Sequence, residues 1–294
     1  GYFERCSNWG RWGADDNAGT VNLITPEKRR EAAGLVKSGR AVSLAYPLNT
    51  VGGPGNWNPA QHFLRTGPDF SVDYIGLLFH GYATTHVDAL CHIFWEGKGW
   101  NGRPASEVTS LGARFGSVDA WSQGITTRGV LIDIPRFRGV PHISLDEPVR
   151  GWEIEAAAAK QGVAIRPGDA LIVTSGRESY FQANPSTAPG VIPMAGLHPD
   201  CVPVFRRLDI ALLGWDLMDY QPCGYPLFDS LPGAAGGVHN LSLVYLGLPL
   251  LDNAKLDTLA DACAEEGQYD FLLTIGPLQL RGGTGSPVNP IALL

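Results

Sequence analysis

The chain has 294 residues, 44% of them hydrophobic and 17% charged, which allows one large domain or two small ones around a sizeable core. A net charge of −7 and a pI near 5.5 argue against nucleic acid as a partner, since a binder would show a basic face. No run of about 18 apolar residues is present, so no membrane span is expected, and no break in composition forces a second domain.

Five cysteines (Cys6, Cys91, Cys201, Cys223, Cys263) stand at irregular spacing with no Cys-x-x-Cys. That pattern predicts reduced thiols in a cytoplasmic protein rather than a disulfide frame or a structural zinc site. The start, Gly1-Tyr2-Phe3-Glu4-Arg5, has no signal-peptide character.

Residues 1–24 are rich in Trp, Gly, Asp and Asn, a composition for an ordered loop arm. Thr25-Pro26-Glu27 opens a helix with a capping hydroxyl, a proline at the first helical position and an acid in the first turn; it should run to about Ser38 and stop at Gly39. A strand follows over 40–47. Residues 49–68, rich in Gly, Pro and Asn, predict a long loop over the site, with Trp57 and Phe63 as substrate contacts and His62 as a surface residue.

The stretch His80-Gly-Tyr-Ala-Thr-Thr-His86-Val-Asp88-Ala-Leu-Cys-His92 places three of the chain's seven histidines and an aspartate in thirteen residues. In extended chain, side chains two apart share a face, so His86 and Asp88 can converge on one point. Apolar runs flank the stretch, 74–79 before it and 93–95 after it, and predict that the polar group enters a core or cleft. A buried carboxylate and imidazole are costly unless paired or bound to metal.

Further on, Gly129–Ile134 predicts a buried strand, 149–161 a helix ended by Gly162, and Ala170–Thr174 a strand. Residues 176–197 predict another long loop, Pro199–Arg207 a helix, and Ile210–Leu213 a strand. Asp216 and Asp219 lie just past that strand's end, where sites are often built. Helices at 239–247 and 255–265 and a strand over Phe271–Leu280 complete a mixed α/β pattern. His142 and His198, each beside a proline, are expected on surface loops. The run Gly282-Gly-Thr-Gly-Ser-Pro287 lacks the lysine and spacing of a P-loop, and no Gly-x-Ser-x-Gly elbow is present.

The key stretch, the segment Ala18-Gly19-Thr20-Val21-Asn22-Leu23 before the capped helix, and the ending Gly-Gly-Thr-Gly-Ser-Pro-Val-Asn-Pro together resemble the cyclase family that includes bacterial kynurenine formamidases and isatin hydrolases. The resemblance covers nearly the whole chain, and the family signature is His-x-Gly-Thr-His-x-Asp-x-Pro-x-His. It implies a metal-dependent hydrolase of amide or lactam bonds. It also implies a single-domain α/β fold, with a mixed β-sheet or barrel-like core flanked by helices (the swivelling β/β/α type), and a homodimer or homotetramer. By the same resemblance His86 and Asp88 match the second and third metal ligands and His92 the catalytic histidine. His239 matches a later histidine, and Asp252 stands where many relatives carry glutamate.

Three positions depart from the signature: Tyr82 replaces the first ligand histidine, Thr84-Thr85 the Gly-Thr pair, and Leu90 the proline. A phenol with a pKa near 10 is a poor ligand at neutral pH. His80 can substitute only if the chain folds back near Gly81, because six extended residues span about 20 Å while zinc–nitrogen bonds are about 2.0–2.1 Å.

These readings predict a divalent metal, zinc or manganese, held by His86, Asp88, His80 and Asp252. His92 moves the proton, His239 and Tyr82 complete the catalytic set, and Trp57, Phe63, Trp95 and Trp215 contact a small aromatic substrate. Two alternatives use the same residues differently. One is metal-free acid/base cyclisation or dehydration of a polyketide-like ring by His92, Tyr82 and His239. The other is a non-catalytic binding protein on the same fold.

Overall fold

The computed structural model describes residues 2–230 and 236–294. Its strands, in chain order, are β1 (Ala41–Ser43), β2 (Gln61–Thr66), β3 (Ser71–Gly76), β4 (His86–Asp88), β5 (Val108–Thr109), β6 (Gly112–Ala113), β7 (Ile125–Asp133), β8 (Ala170–Thr174), β9 (Leu212–Trp215), β10 (Leu250–Asp252), β11 (Asp270–Ile275), β12 (Gly285–Pro287) and β13 (Ile291–Leu293). Nine of them form one curled mixed sheet in the order β1-β13-β11-β7-β8-β9-β10-β4-β12. The fold is mixed α/β, as expected.

The centre of the sheet, β7-β8-β9-β10, is parallel, and its strands are buried on both faces. Parallel strands covered on both sides read as continuous apolar runs, which is why Ala170–Thr174 matches its prediction residue for residue. β7 begins four residues earlier than predicted. Its first half carries Arg128, a buried cation whose guanidinium donates to Asp169 Oδ2 at 2.8 Å and to Asp270 Oδ2 at 3.0 Å. β9 lies two residues later than expected. β11 stops at Ile275, two residues before Pro277, which has no N–H to give a ladder.

Helices Gly151–Gln161 and Asp257–Glu266 match their predictions to within two residues. The first helix is shorter than expected, Pro26–Ala33; Thr25 caps it by accepting from the Lys28 amide, and Gly34 closes it. Two predicted loops contain structure. Residues 49–68 include β2, which pairs with β3 in a separate hairpin. The apolar run 74–79 therefore does not carry the key stretch into the core; Tyr74, Ile75 and Leu78 are exposed. Residues 176–197 include the helix Arg177–Ala183, whose start is fixed by Asp216 accepting from the amides of Ser175, Gly176 and Arg177.

The N-terminal arm also holds a short helix, Tyr2–Cys6, and a turn of 3-10 helix, Gly19–Leu23. It packs on its own chain: Asn8 Nδ2 donates to the Leu246 carbonyl at 2.9 Å and Trp9 Nε1 to the Val244 carbonyl at 2.6 Å. His198 is buried rather than on the surface, with Nε2 donating to the Cys223 carbonyl and Nδ1 accepting from the Asp200 amide. All five cysteines are free and buried. No helix among the described residues is long and apolar enough to cross a membrane.

Candidate metal centre

β4 lies between β10 and β12 and is antiparallel to both. His86 and Asp88, two apart, share one face of it. Asp252 is the β10 residue opposite His86, so its carboxylate joins the same face. His86 Nε2 stands 3.3 Å from Asp88 Oδ1 and 3.9 Å from Asp252 Oδ2. A turn closed by the His92 amide on the Ala89 carbonyl returns His92 over the strand end, with Nε2 3.9 Å from Asp88 Oδ1. His239, from the helical turn Gly237–His239, places Nε2 2.9 Å from Asp252 Oδ2 and 3.7 Å from Asp88 Oδ2.

The fourth histidine arrives by a fold-back. Gly81 has φ +128°, a region that side-chain-bearing residues rarely enter, and this bend brings His80 Nδ1 to 2.8 Å from Asp88 Oδ1. The His80 ring stacks on His92, with centroids 3.7 Å apart and planes at 5°. Its Nε2 meets Thr284 Oγ1 at 3.0 Å. A Cβ on Gly285 would lie 2.9 Å from His80 Cε1, so glycine at that place in β12 leaves room for the ring.

Polar side chains clamp the segment between His80 and His86. Asn253 Nδ2 donates to the carbonyls of Gly81 and Thr84, and Arg177 donates to the Tyr82 carbonyl at 2.8 Å and to Asn253 Oδ1 at 2.8 Å. Thr85 Oγ1 returns a hydrogen bond to the Asn253 carbonyl. Partners on the far side orient the ligand atoms. The His86 Nδ1–H donates to the Thr84 carbonyl at 2.8 Å, leaving the Nε2 lone pair facing the site. His239 Nδ1 makes a short contact with Asp219, and Trp215 Nε1 donates to Asp252 Oδ1 at 2.5 Å.

Charge is balanced unevenly. Burial disfavours ionisation of Asp88, but the His92 and His86 imidazoles outweigh it and hold the carboxyl well below the usual range. Burial pushes the His92 imidazole down to about 4, against the pull of Asp88. His239 is raised well above its ordinary value because the Asp219 and Asp252 carboxylates outweigh its burial.

The donor set fits a divalent cation. Both Asp88 oxygens and His80 Nδ1 are buried without a well-aligned hydrogen bond, although His80 Nδ1 stands 2.8 Å from Asp88 Oδ1 and the His92 and His239 imidazoles lie within 4 Å of the carboxylate. Orphaned buried groups of this kind are costly unless an ion holds them. Two triads of ligand atoms, His80-Asp88-His92 and His86-Asp88-Asp252, each lie within 4.8 Å of one another. Imidazole and carboxylate groups are ligands for divalent ions.

A family described as "Putative cyclase" matches residues 42–222, more than half of the chain. The chain belongs to the cyclase family. A crystal structure described as a novel cyclase is 28% identical, covers 99% of both chains and superposes with a TM-score of 0.87. An isatin hydrolase bound to the product analogue thioisatinate is 19% identical over 89% of this chain and 94% of that one, with a TM-score of 0.60. A predicted metal-dependent hydrolase from Bacillus stearothermophilus is 12% identical over 86% and 97%, with a TM-score of 0.52. These last two share the fold. No curated protein matches.

Against the cyclase signature, the structure places His80 among the candidate ligands and Tyr82 beside them. The Tyr82 ring lies on the wall of the site cavity, backed by Gly190, where a Cβ would come within 2.4 Å of the ring. Burial, reinforced by Asp219 and Asp252, raises its phenol and keeps the proton on it. The cavity, of about 350 Å³, is lined by His80, Tyr82, His86, Asp88, His92 and His239, with Ile93, Met218 and Asp252.

None of the four aromatic residues expected to contact substrate lines it. Trp57 is exposed beside the β2–β3 hairpin and Phe63 is exposed within it. Trp95 is buried against Phe3 and Phe228, and Trp215 acts on Asp252 from behind. Thr284, Asn253 and Arg177 were not legible as site residues, because each acts across more than 75 positions of sequence. Asp219 had a signal in its place just past a strand end. Its neighbour there, Asp216, instead caps a helix. Cys91 is buried, and that burial pushes its thiol up to about 12.

Proposed function

We propose that the chain is a metal-dependent hydrolase that opens an amide, lactam or lactone bond in a small aromatic molecule. The observation that carries this reading is the convergence of buried donor atoms, Asp88 Oδ1, Asp88 Oδ2 and His80 Nδ1, none with a well-aligned hydrogen bond, inside a cavity ringed by histidines. His86, Asp88 and Asp252 would hold a cation on the sheet face, and His80 with Asp88 would hold it or a second one from the fold-back side. Such a cation supplies positive charge to polarise a carbonyl and to acidify a water.

The chain's own residues do the rest. His92, neutral at pH 7, takes a proton at Nε2 from the attacking water and passes it to the leaving nitrogen or oxygen, so that hydrolysis yields a carboxylate and an amine or alcohol. Tyr82, Ile93 and Met218 give the cavity apolar walls against which a flat ring can lie. The isatin hydrolase structures, one with thioisatinate and one from Labrenzia aggregata with benzyl benzoate, support aryl amides and lactams as the first substrates to try.

The test is a panel of aryl amides, lactams and lactones assayed before and after chelation. Hydrolysis lost to chelator and restored by zinc or manganese is the expected result. A rate untouched by chelator would move the assignment to metal-free acid/base chemistry by His92, His239 and Tyr82.

A further inference from the structure

A second, smaller cavity lies behind the site. Most of its lining is apolar, with Phe181, Leu217, Val191 and Met194 among the walls, and its volume of about 30 Å³ leaves room for about two waters. Its charged side chains are engaged elsewhere: Asp216 caps a helix, Arg177 clamps the fold-back and Asp219 holds His239. Tyr82 and Met218 line both this slot and the site cavity, so these two side chains are the partition between them. Each is 9% exposed.

The Tyr82 ring has little room to retreat. On the slot side it packs on the bare backbone of Gly190, where a Cβ would stand 2.4 Å from its Cδ2 and Cε2. At its own backbone the carbonyl is held by Arg177 at 2.8 Å. The site cavity in front of the ring, about 350 Å³, is at the lower end of the roughly 300–1,000 Å³ that small-molecule pockets occupy. Packed walls of this kind discriminate by size, and one methylene too many already costs about 10-fold or more in specificity. A second ring exceeds that by far.

We propose that Tyr82, together with Met218, is a specificity-determining residue: its ring limits the substrate to a single aromatic ring and bars biaryl compounds from the slot behind. The position that the cyclase signature gives to a ligand histidine is, in this chain, a wall. It acts through the bulk of the ring rather than through the hydroxyl, so removing the ring joins the two cavities into one elongated pocket, while phenylalanine leaves them apart. This proposal rests on the hydrolase reading above, because it places the scissile carbonyl on the histidine side of the partition.

The test uses aryl carboxylates, the class of product that hydrolysis releases. Benzoate, 3-phenylbenzoate and 4-phenylbenzoate are titrated by calorimetry into the zinc-loaded wild type, Tyr82→Ala and Tyr82→Phe. The wild type and Tyr82→Phe should prefer benzoate to both biphenyls by about 10-fold or more, and Tyr82→Ala should shift that ratio toward a biphenyl by about 10-fold or more. A wild type that binds the biphenyls as tightly as benzoate, or an unchanged ratio in Tyr82→Ala, would overturn the proposal and leave the hydrolase reading standing. A Tyr82→Phe ratio that moves with that of Tyr82→Ala would overturn the role of bulk. Binding of no aryl carboxylate by any of these proteins would count against the hydrolase reading itself and remove the proposal with it. Should Tyr82→Ala fail to fold, Met218→Ala opens the other half of the partition: a shift toward a biphenyl supports the proposal, and an unchanged ratio overturns it.

Discussion

At the scale of single residues, the departure that most threatens a metal site in this sequence is Tyr82 in place of a histidine, and the structure brings His80 into the same cluster. Thr284 Oγ1 meets His80 Nε2 at 3.0 Å, and Gly285 leaves room for the ring. Partners that orient a ligand histidine are typically worth about 10–100-fold in metal affinity. Thr284→Val should weaken zinc binding by that factor, measured by competition with a chromophoric chelator. Tyr82→Phe should leave metal affinity unchanged, because the phenol keeps its proton and stands beside the ligands. A loss of metal in Tyr82→Phe would mean that the tyrosine ligates after all. Asp219 fixes His239 in the same way, and Asp219→Asn should lower kcat while the substrate KM changes little.

At the scale of elements, the site depends on a three-residue strand and a bend. β4 supplies two groups by simple alternation, and that much follows from His86-x-Asp88 in the sequence. The bend at Gly81 supplies the third. Gly81→Ala meets no neighbouring atom, so its whole cost is the strained backbone, about 1–2 kcal/mol. It should weaken metal binding while the far-ultraviolet circular dichroism stays that of the wild type. Equal metal affinity in Gly81→Ala would show that the fold-back does not position His80. The strands read correctly from sequence are those buried on both faces, such as β8, where composition alone marks the element. β10, β12 and β13 have three residues each, too few for a period to show. The hairpin was hidden for a different reason. Its apolar residues face water in this chain, so a rule that sends apolar runs inward misplaces them.

At the scale of the whole molecule, the sheet is tied to the helix Pro26–Ala33 by a buried ion network. Lys28 Nζ donates to Asp169 Oδ1 at 2.7 Å, and Arg128 donates to Asp169 Oδ2 at 2.8 Å. Asp169→Ala leaves two buried cations without their shared carboxylate and should cost about 3–5 kcal/mol, seen as a fall in the urea midpoint with little change in slope. A midpoint within error of the wild type would show that water reaches the network.

The site itself is assembled from β4, β10, the His239 turn and the fold-back, which bring two triads of candidate metal-ligand atoms together. The measurement that tests this most directly is metal content per chain, by elemental analysis of protein purified without chelator, on the wild type and Asp88→Ala in parallel. Both ligand triads share Asp88. At least one zinc or manganese per chain in the wild type, lost in Asp88→Ala, is the predicted result; no metal in either protein, or equal metal in both, would contradict it.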